Sequence, residues 1–228
     1  MNRIAIALIE PLYEMNVGYL ARIMANFGFG ELYLIEPKVE LYKARKFASH
    51  GYKVLEDAKI CGFRNLTKEF DYLVGTTAIV GKKPTSIFRA AITPEKFAQN
   101  LGGFSGSICL IFGRDTTGLK KEELELCDLI THIPVNTSYP TLNISHAAAI
   151  ILYEISKKKG VKKFKNATRK ERERLIEYFI ELAQRSNIPK HKITLLKEAI
   201  KQVFGRARLR SREATLLMGF CRKLISKI

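Results

Sequence analysis

Arg3–Ile9 (RIAIALI) is aliphatic from Ile4 on and too short to be a helix with a polar face, the pattern of a strand covered on both sides. Apolar positions then follow at helical spacing from Asn16 to Gly28, with Asn16 placed to cap the helix start and Gly28 to close its end. Glu31–Ile35 (ELYLI) predicts a second strand, and the order strand, helix, strand calls for a parallel sheet with right-handed crossovers. From Val39 to Asn65 the pattern weakens to a helix over Leu41–Ala48 and an extended piece near Tyr52–Leu55. Asp71–Ala78 (DYLVGTTA) is a further strand. Ser107–Phe112 (SICLIF) is the most continuously apolar one and therefore the central one. Lys120–Leu126 is helical, and Asp128–Ile133 leads into a stretch where Pro134, Pro140 and the hydroxyl residues near them forbid a regular element. The chain then enters Ala147–Tyr153, a helical run apolar nearly all round, which must be covered on more than one side.

Charge divides the chain where hydrophobicity does not. Residues 1–155 hold 17 Lys and Arg against 16 Asp and Glu, and residues 156–228 hold 22 against 6. Such a confined excess is the footprint of a segment that binds a polyanion; an anionic membrane surface or a solvated tail are its rivals. A lysine-rich stretch with a glycine after Ser156 predicts a boundary: a domain over 1–157, a basic linker over 158–166 and a helical domain over 167–228. Thr168 and Glu171 form a capping box, followed by Leu175, Phe179, Leu182 and Ala183 at helical spacing, until Asn187 and Pro189 break the pattern. A second helix carries Ile193, Leu196, Ile200 and Val203. A third starts at Ser211 and repeats Ala214, Leu217, Cys221, Leu224 and Ile228. Three amphipathic helices make a packed bundle, which weighs against the tail. Between the last two, Arg206, Arg208, Arg210 and Arg212 alternate and are expected to line up along a row of phosphates if the link is extended.

Several classes drop out. No apolar run approaches the roughly 18 residues that a membrane span needs, and the N-terminus has no cleavage site of a signal peptide. Cys61, Cys109, Cys127 and Cys221 have no paired spacing and read as buried thiols in a reducing cytoplasm, and no histidine pair has metal spacing. Gly75 to Gly81 is not a phosphate loop, since five residues instead of four separate the glycines and Lys83 replaces the hydroxyl.

Three short motifs carry the chemistry. Asn16-x-Gly18-x-x-x-Arg22 follows the first strand. Phe112-Gly-Arg-Asp115-x-x-Gly118-Leu119 follows the central one. Thr141-Leu-Asn-Ile-Ser145 opens the alanine-rich helix. Together, in this order, they resemble the SPOUT-class RNA methyltransferases of the 2′-O-ribose branch. Asp115 stands where that family usually has Glu. Phe204-Gly-Arg-Ala207, Glu213 and Met218-Gly219 are similar to the C-terminal domain of the family's tRNA-modifying members, so the resemblance spans the whole chain.

The resemblance implies an α/β fold with a parallel sheet, a C-terminal trefoil knot and a small C-terminal helical domain. It implies a homodimer whose interface includes the 147–153 helix and the first-motif helix. The cofactor implied is S-adenosylmethionine, held by Thr76, Thr77, Ala78, Gly113, Ile133, Val135, Thr141, Leu142 and Asn143. The substrate implied is tRNA, at position 32 of the anticodon loop. Catalytic candidates are Arg22, Asn16, Asp115, Asn143 and Ser145. An ordinary guanidinium, with a pKa above ~12, is a poor proton acceptor. Arg22 is therefore assigned to stabilising the nucleophilic oxygen, with Asp115 the other candidate for handling the proton. Lys82, Lys83 and Arg89 are candidate phosphate contacts, or solvated surface lysines and arginine. Other readings stand beside this one: a SPOUT enzyme acting on a base or on rRNA, or a non-catalytic RNA-binding protein on the same fold. Loop capping is the plain alternative for each of the Asn, Ser and Thr residues.

Overall fold

The computed structural model describes residues 3–79, 91–101, 105–157 and 165–227. Six parallel strands form one sheet in the order β3-β2-β1-β5-β4-β6: β1 (Arg3–Ile9), β2 (Leu32–Ile35), β3 (Lys59–Cys61), β4 (Tyr72–Thr76), β5 (Ser107–Phe112) and β6 (Leu129–Thr131). The most apolar strand is central: β1 and β4 flank β5, with Leu8 beside Phe112 and Gly75 beside Ile111. Crossovers are helical: α1 (Glu14–Asn26), α2 (Leu41–Ala48), α3 (Tyr52–Glu56), α4 (Phe63–Glu69), α5 (Pro94–Leu101) and α6 (Lys121–Leu126), and α7 (Ile144–Ser156) follows the last strand.

Period-two alternation sorts each strand onto two covered faces. Ile6, Leu8, Leu34, Val74, Leu110 and Phe112 pack with Val17, Leu20 and Met24 of α1 and Ala148, Ile151 and Leu152 of α7. Ala5, Ala7, Ile9, Tyr33, Leu73 and Ile111 face the other way, toward Leu66 and Phe70 around α4.

Two local expectations are corrected. Asn16 lies inside α1, which starts at Glu14 after the extended Tyr13, and is buried at 5% exposure. Tyr52–Leu55 is not extended but the body of α3, because Val54 and Leu55 both turn to the core. Gly28 does close α1, at φ +80°.

The C-terminal segment folds as α8 (Arg169–Arg185), α9 (Lys190–Ala207) and α10 (Ser211–Ile225) around Leu175, Ile176, Phe204, Leu209, Ala214 and Cys221. The Thr168–Glu171 capping box forms. Val203 departs from expectation at 51% exposure, and Ile228 lies outside the described residues. The bundle sits directly on the β4/β6 edge. Buried Tyr72 donates its hydroxyl proton to the Gly205 carbonyl at 2.7 Å. Gly205 is required there, since a Cβ would stand 2.0 Å from the Asp128 carbonyl oxygen. Arg172, 4% exposed, donates to Asp71 O at 2.6 Å and to Asp128 Oδ1 at 3.1 Å, its guanidinium 4.0 Å from the Tyr72 ring centre. Burying that charge is offset by pairing and hydrogen bonding, so removing one partner is costly.

The alternating arginines do not make the extended row expected of them. Arg206 is in α9, and Arg208 ends it in the left-handed conformation with its guanidinium on the Asn100 carbonyl. Arg210 caps α10, and Arg212 lies within that helix. Helix continues through Ala207, so two-residue alternation no longer places the four side chains on one side.

Candidate active site

The site is built where open α/β sheets bind ligands, at the carboxyl ends of the strands. Beyond β4, Thr76 Oγ1 donates to Ile111 O at 3.0 Å, and Thr77 N donates to Thr131 O at 3.1 Å. These bonds hold the 76–78 backbone against both neighbouring strands. β5 empties into the Gly113–Leu119 loop, which closes through Arg114 N to Gly118 O at 3.1 Å and Gly118 N to Arg114 O at 3.0 Å. Gly118 turns at φ +68°. A Cβ on Gly113 would lie 2.1 Å from the Gly118 carbonyl carbon, so the closed loop admits only glycine there. Arg114 anchors the loop between Glu10 and Glu123, donating to the latter at 2.9 and 3.0 Å, and its guanidinium holds the Glu10 carboxyl below the usual carboxylate range.

Between this loop, the 76–78 backbone and the segment after β6 lies an open cavity of about 250 Å³. Thr76, Thr77, Ala78, Gly113, Ile133, Thr141 and Leu142 of the expected cofactor set all line it, as does Asp115. Val135 and Asn143 do not: Asn143 instead caps α7 with its side chain. Residues outside the expected cofactor set also line it, notably Leu119, Thr131, Ile144, Ala147 and Ile151. The signal for Ala147 and Ile151 was present in their spacing of four on an all-apolar helix.

A hydrogen-bond chain joins the three motifs at the rim. Asp115 Oδ2 accepts from Leu12 N at 2.9 Å, and Asp115 Oδ1 accepts from Asn16 Nδ2 at 2.5 Å. Asn16 Oδ1 accepts from Asn143 Nδ2 at 3.0 Å. Asn143 Oδ1 accepts from Ser145 N at 2.8 Å and Ser145 Oγ at 2.7 Å. The short carboxylate of Asp115 therefore reaches both the β1–α1 turn and the first-motif amide.

Arg22 stands apart from this group. It is exposed, about 120° around α1 from Asn16, and shares an outward stripe with Met15 and Tyr19. Among the described residues it has no hydrogen-bond or ion-pair partner. Lys82, Lys83 and Arg89 lie outside the described residues. Arg206, Arg210 and Arg212 are exposed, whereas Arg208 is half-buried and its guanidinium pKa is lowered by that burial.

A cleft at a parallel sheet's carboxyl edge, framed by these three motifs, defines a methyltransferase fold. The chain matches the SpoU rRNA Methylase family over residues 3–153 and belongs to it. Its similarity to particular proteins reaches further along the chain. It is 36% identical over 223 residues to the tRNA (cytidine-2′-O-)-methyltransferase TrmJ of Methanocaldococcus jannaschii, covering 94% of this chain and 96% of that one. The TrmJ of Sulfolobus acidocaldarius, with the same description, is 34% identical over 154 residues, or 67% of this chain and 64% of that one. Among solved structures, TrmJ from Z. mobilis ZM4 superposes with a TM-score of 0.69 at 26% identity, covering 96% of this chain and 98% of that one.

Proposed function

We propose that the protein transfers a methyl group from S-adenosylmethionine to a ribose 2′-hydroxyl of tRNA, at position 32 of the anticodon loop. The observation that carries this reading is the hydrogen-bonded chain from Asp115 through Asn16 and Asn143 to Ser145, which unites three distant motifs at the mouth of one cleft. Full-length similarity to an archaeal tRNA (cytidine-2′-O-)-methyltransferase supports the substrate.

The cleft suits the donor chemically. Phe112, Leu119, Leu142 and Ile151 offer apolar walls for an adenine ring, while the 76–78 backbone, Thr141 and the Asp115 carboxylate offer polar groups for a ribose and an amino-acid end. When bound, the donor supplies an electrophilic methyl group on a sulfonium. The chain's own residues do the rest. The Gly113–Leu119 loop and the 133–142 segment enclose the cleft; exposed Asn143 orients the ribose, and buried Asn16 and Ser145 fix the Asn143 amide. Arg22 stabilises the oxygen as negative charge develops on it, and the hydroxyl proton passes to the Asp115 carboxylate, which lines the cleft. Positioning of this kind supplies a large part of the reduction of such a barrier.

Arg22 is exposed and does not line its own cleft but lies on a stripe with Met15 and Tyr19, and α7 leaves Ile150 39% and Tyr153 50% exposed beside α1. These surfaces support a homodimer in which Arg22 serves the partner's cleft. Residues 1–157 carry the chemistry, and 167–228, reached through the 158–166 linker, bind tRNA. The 133–146 segment follows the family's knotted threading, and the enzyme works in the cytoplasm. Mixed dimers of Arg22→Ala with Gly113→Ala test the shared site. At donor concentrations that leave both parents impaired, recovery of activity in the mixed dimer is expected; none would mean that each chain completes its own site.

A further inference from the structure

Positive charge in the methyltransferase domain is focused on one corner. Residues 38–56 hold five Lys and Arg against two Glu, while the rest of 1–155 holds twelve against fourteen. α2 turns Ala44 and Ala48 to the core, which leaves Tyr42, Arg45, Lys46 and Ser49 outward at i, i+3, i+4 and i+7. Glu40 pairs with Lys43 at 2.5 Å and Glu56 with Arg45 at 3.2 Å. Among the described residues Lys46 and Lys53 have no carboxylate partner.

Aromatic rings run through the same surface. Tyr42 is 71% exposed and Tyr52 44%. The Arg45 guanidinium lies 5.2 Å from the Tyr52 ring centre and the Lys46 ammonium 4.9 Å from that of Phe47. Phe47 meets Tyr19 of α1 edge-on at 5.6 Å, one turn before Arg22. The Ser49–Gly51 turn is pressed onto α1 so closely that a Cβ on Gly51 would lie 2.6 Å from Arg22 Cα. The strip of rings and cations is therefore continuous with the stripe that presents Arg22. Cations interleaved with open rings suit a nucleic-acid strand, whose phosphates and base faces alternate.

We infer that the Tyr42–Lys53 corner is a docking surface for single-stranded RNA, with Lys46 and Lys53 on phosphates and Tyr42 or Tyr52 under a base. It deepens the reading of the chain as a tRNA methyltransferase, giving the unpaired loop a grip beside Arg22 that the C-terminal bundle does not provide.

The test uses the full-length protein carrying either Tyr42→Ala with Tyr52→Ala or Lys46→Gln with Lys53→Gln. Affinity for unmodified tRNA is measured at two salt concentrations, with vesicles rich in phosphatidylserine as the second probe. Loss of the rings should weaken tRNA binding about fivefold or more with the salt slope unchanged, and phenylalanine at both positions should restore it. Loss of the lysines should reduce the slope of log K against log salt by roughly 1.4 to 1.8. Wild-type tRNA affinity in both variants at both salts would overturn the inference, as would loss of vesicle binding with tRNA binding intact. Should the wild type bind tRNA but transfer no methyl group, the proposed activity fails, while the affinity comparison still decides this surface.

Discussion

Arg22 and Gly113 divide the work of the site between charge and shape. Arg22 is exposed and without a described partner, so Arg22→Ala should change stability by no more than ~0.5 kcal/mol. Removing one donor to a developing oxyanion costs about 10²- to 10³-fold in rate, and single-turnover transfer should fall by that factor with donor affinity unchanged. Gly113→Ala acts the other way. Its Cβ would collide with the Gly118 carbonyl group, so the loop must open, at a cost of about 1–3 kcal/mol. Calorimetric titration should show donor affinity at least tenfold weaker. Asp115→Asn sets an amide nitrogen against either Leu12 N–H or the Asn16 amide, and should lower stability by about 1 kcal/mol in denaturant titration. The motif residues were legible because each side-chain type has a narrow use at its spacing. What Asp115 does was not, because its two partners come from Leu12 and Asn16, about a hundred positions away in sequence. Arg114, bridging Glu10 and Glu123, was missed for the same reason.

Elements with a sustained apolar pattern were readable, and short ones were not. β1, β5, α2 and the three C-terminal helices follow their patterns closely. β3 is three residues long with Lys59 and Ile60 exposed, so nothing in its pattern distinguishes it from loop. α3 fills a window too short to separate period two from period 3.6. The arginine row failed because its alternation was taken for extended chain, when helix runs through Ala207 and Arg208 supplies the turn. How the bundle docks was also hidden, since Gly205 looks like any helix glycine until its approach to Asp128 is seen. Gly205→Ala should push α9 off the β4/β6 edge. Hydrogen exchange is the check: protection in β6 should drop by about tenfold or more, while α10 keeps its protection. Unchanged exchange in β6 would mean that the sheet edge does not depend on this contact. The same docking makes deletion of 165–228 a poor probe of RNA affinity, because it would strip Tyr72 and Asp128 of their cover.

At the scale of the whole molecule, α1 and α7 bring Leu12, Tyr13, Met15, Tyr19, Ile150 and Tyr153 to the surface, each at least 37% exposed. A helix as apolar as α7 was expected to need cover on more than one side, and one chain covers only part of it. Sedimentation at micromolar concentration should therefore find a dimer, and a monomer would remove the shared site. Charge separates the remaining roles, a nearly neutral methyltransferase domain and a strongly basic bundle. That split was plain in the sequence, since net charge by segment needs no knowledge of the fold. The central claim is the reaction itself. Full-length protein incubated with unmodified tRNA and methyl-labelled S-adenosylmethionine, followed by nuclease digestion and nucleoside mapping, tests it most directly. The label should appear on a ribose 2′-oxygen at position 32 of the anticodon loop; label on a base, or none in tRNA, would contradict the account.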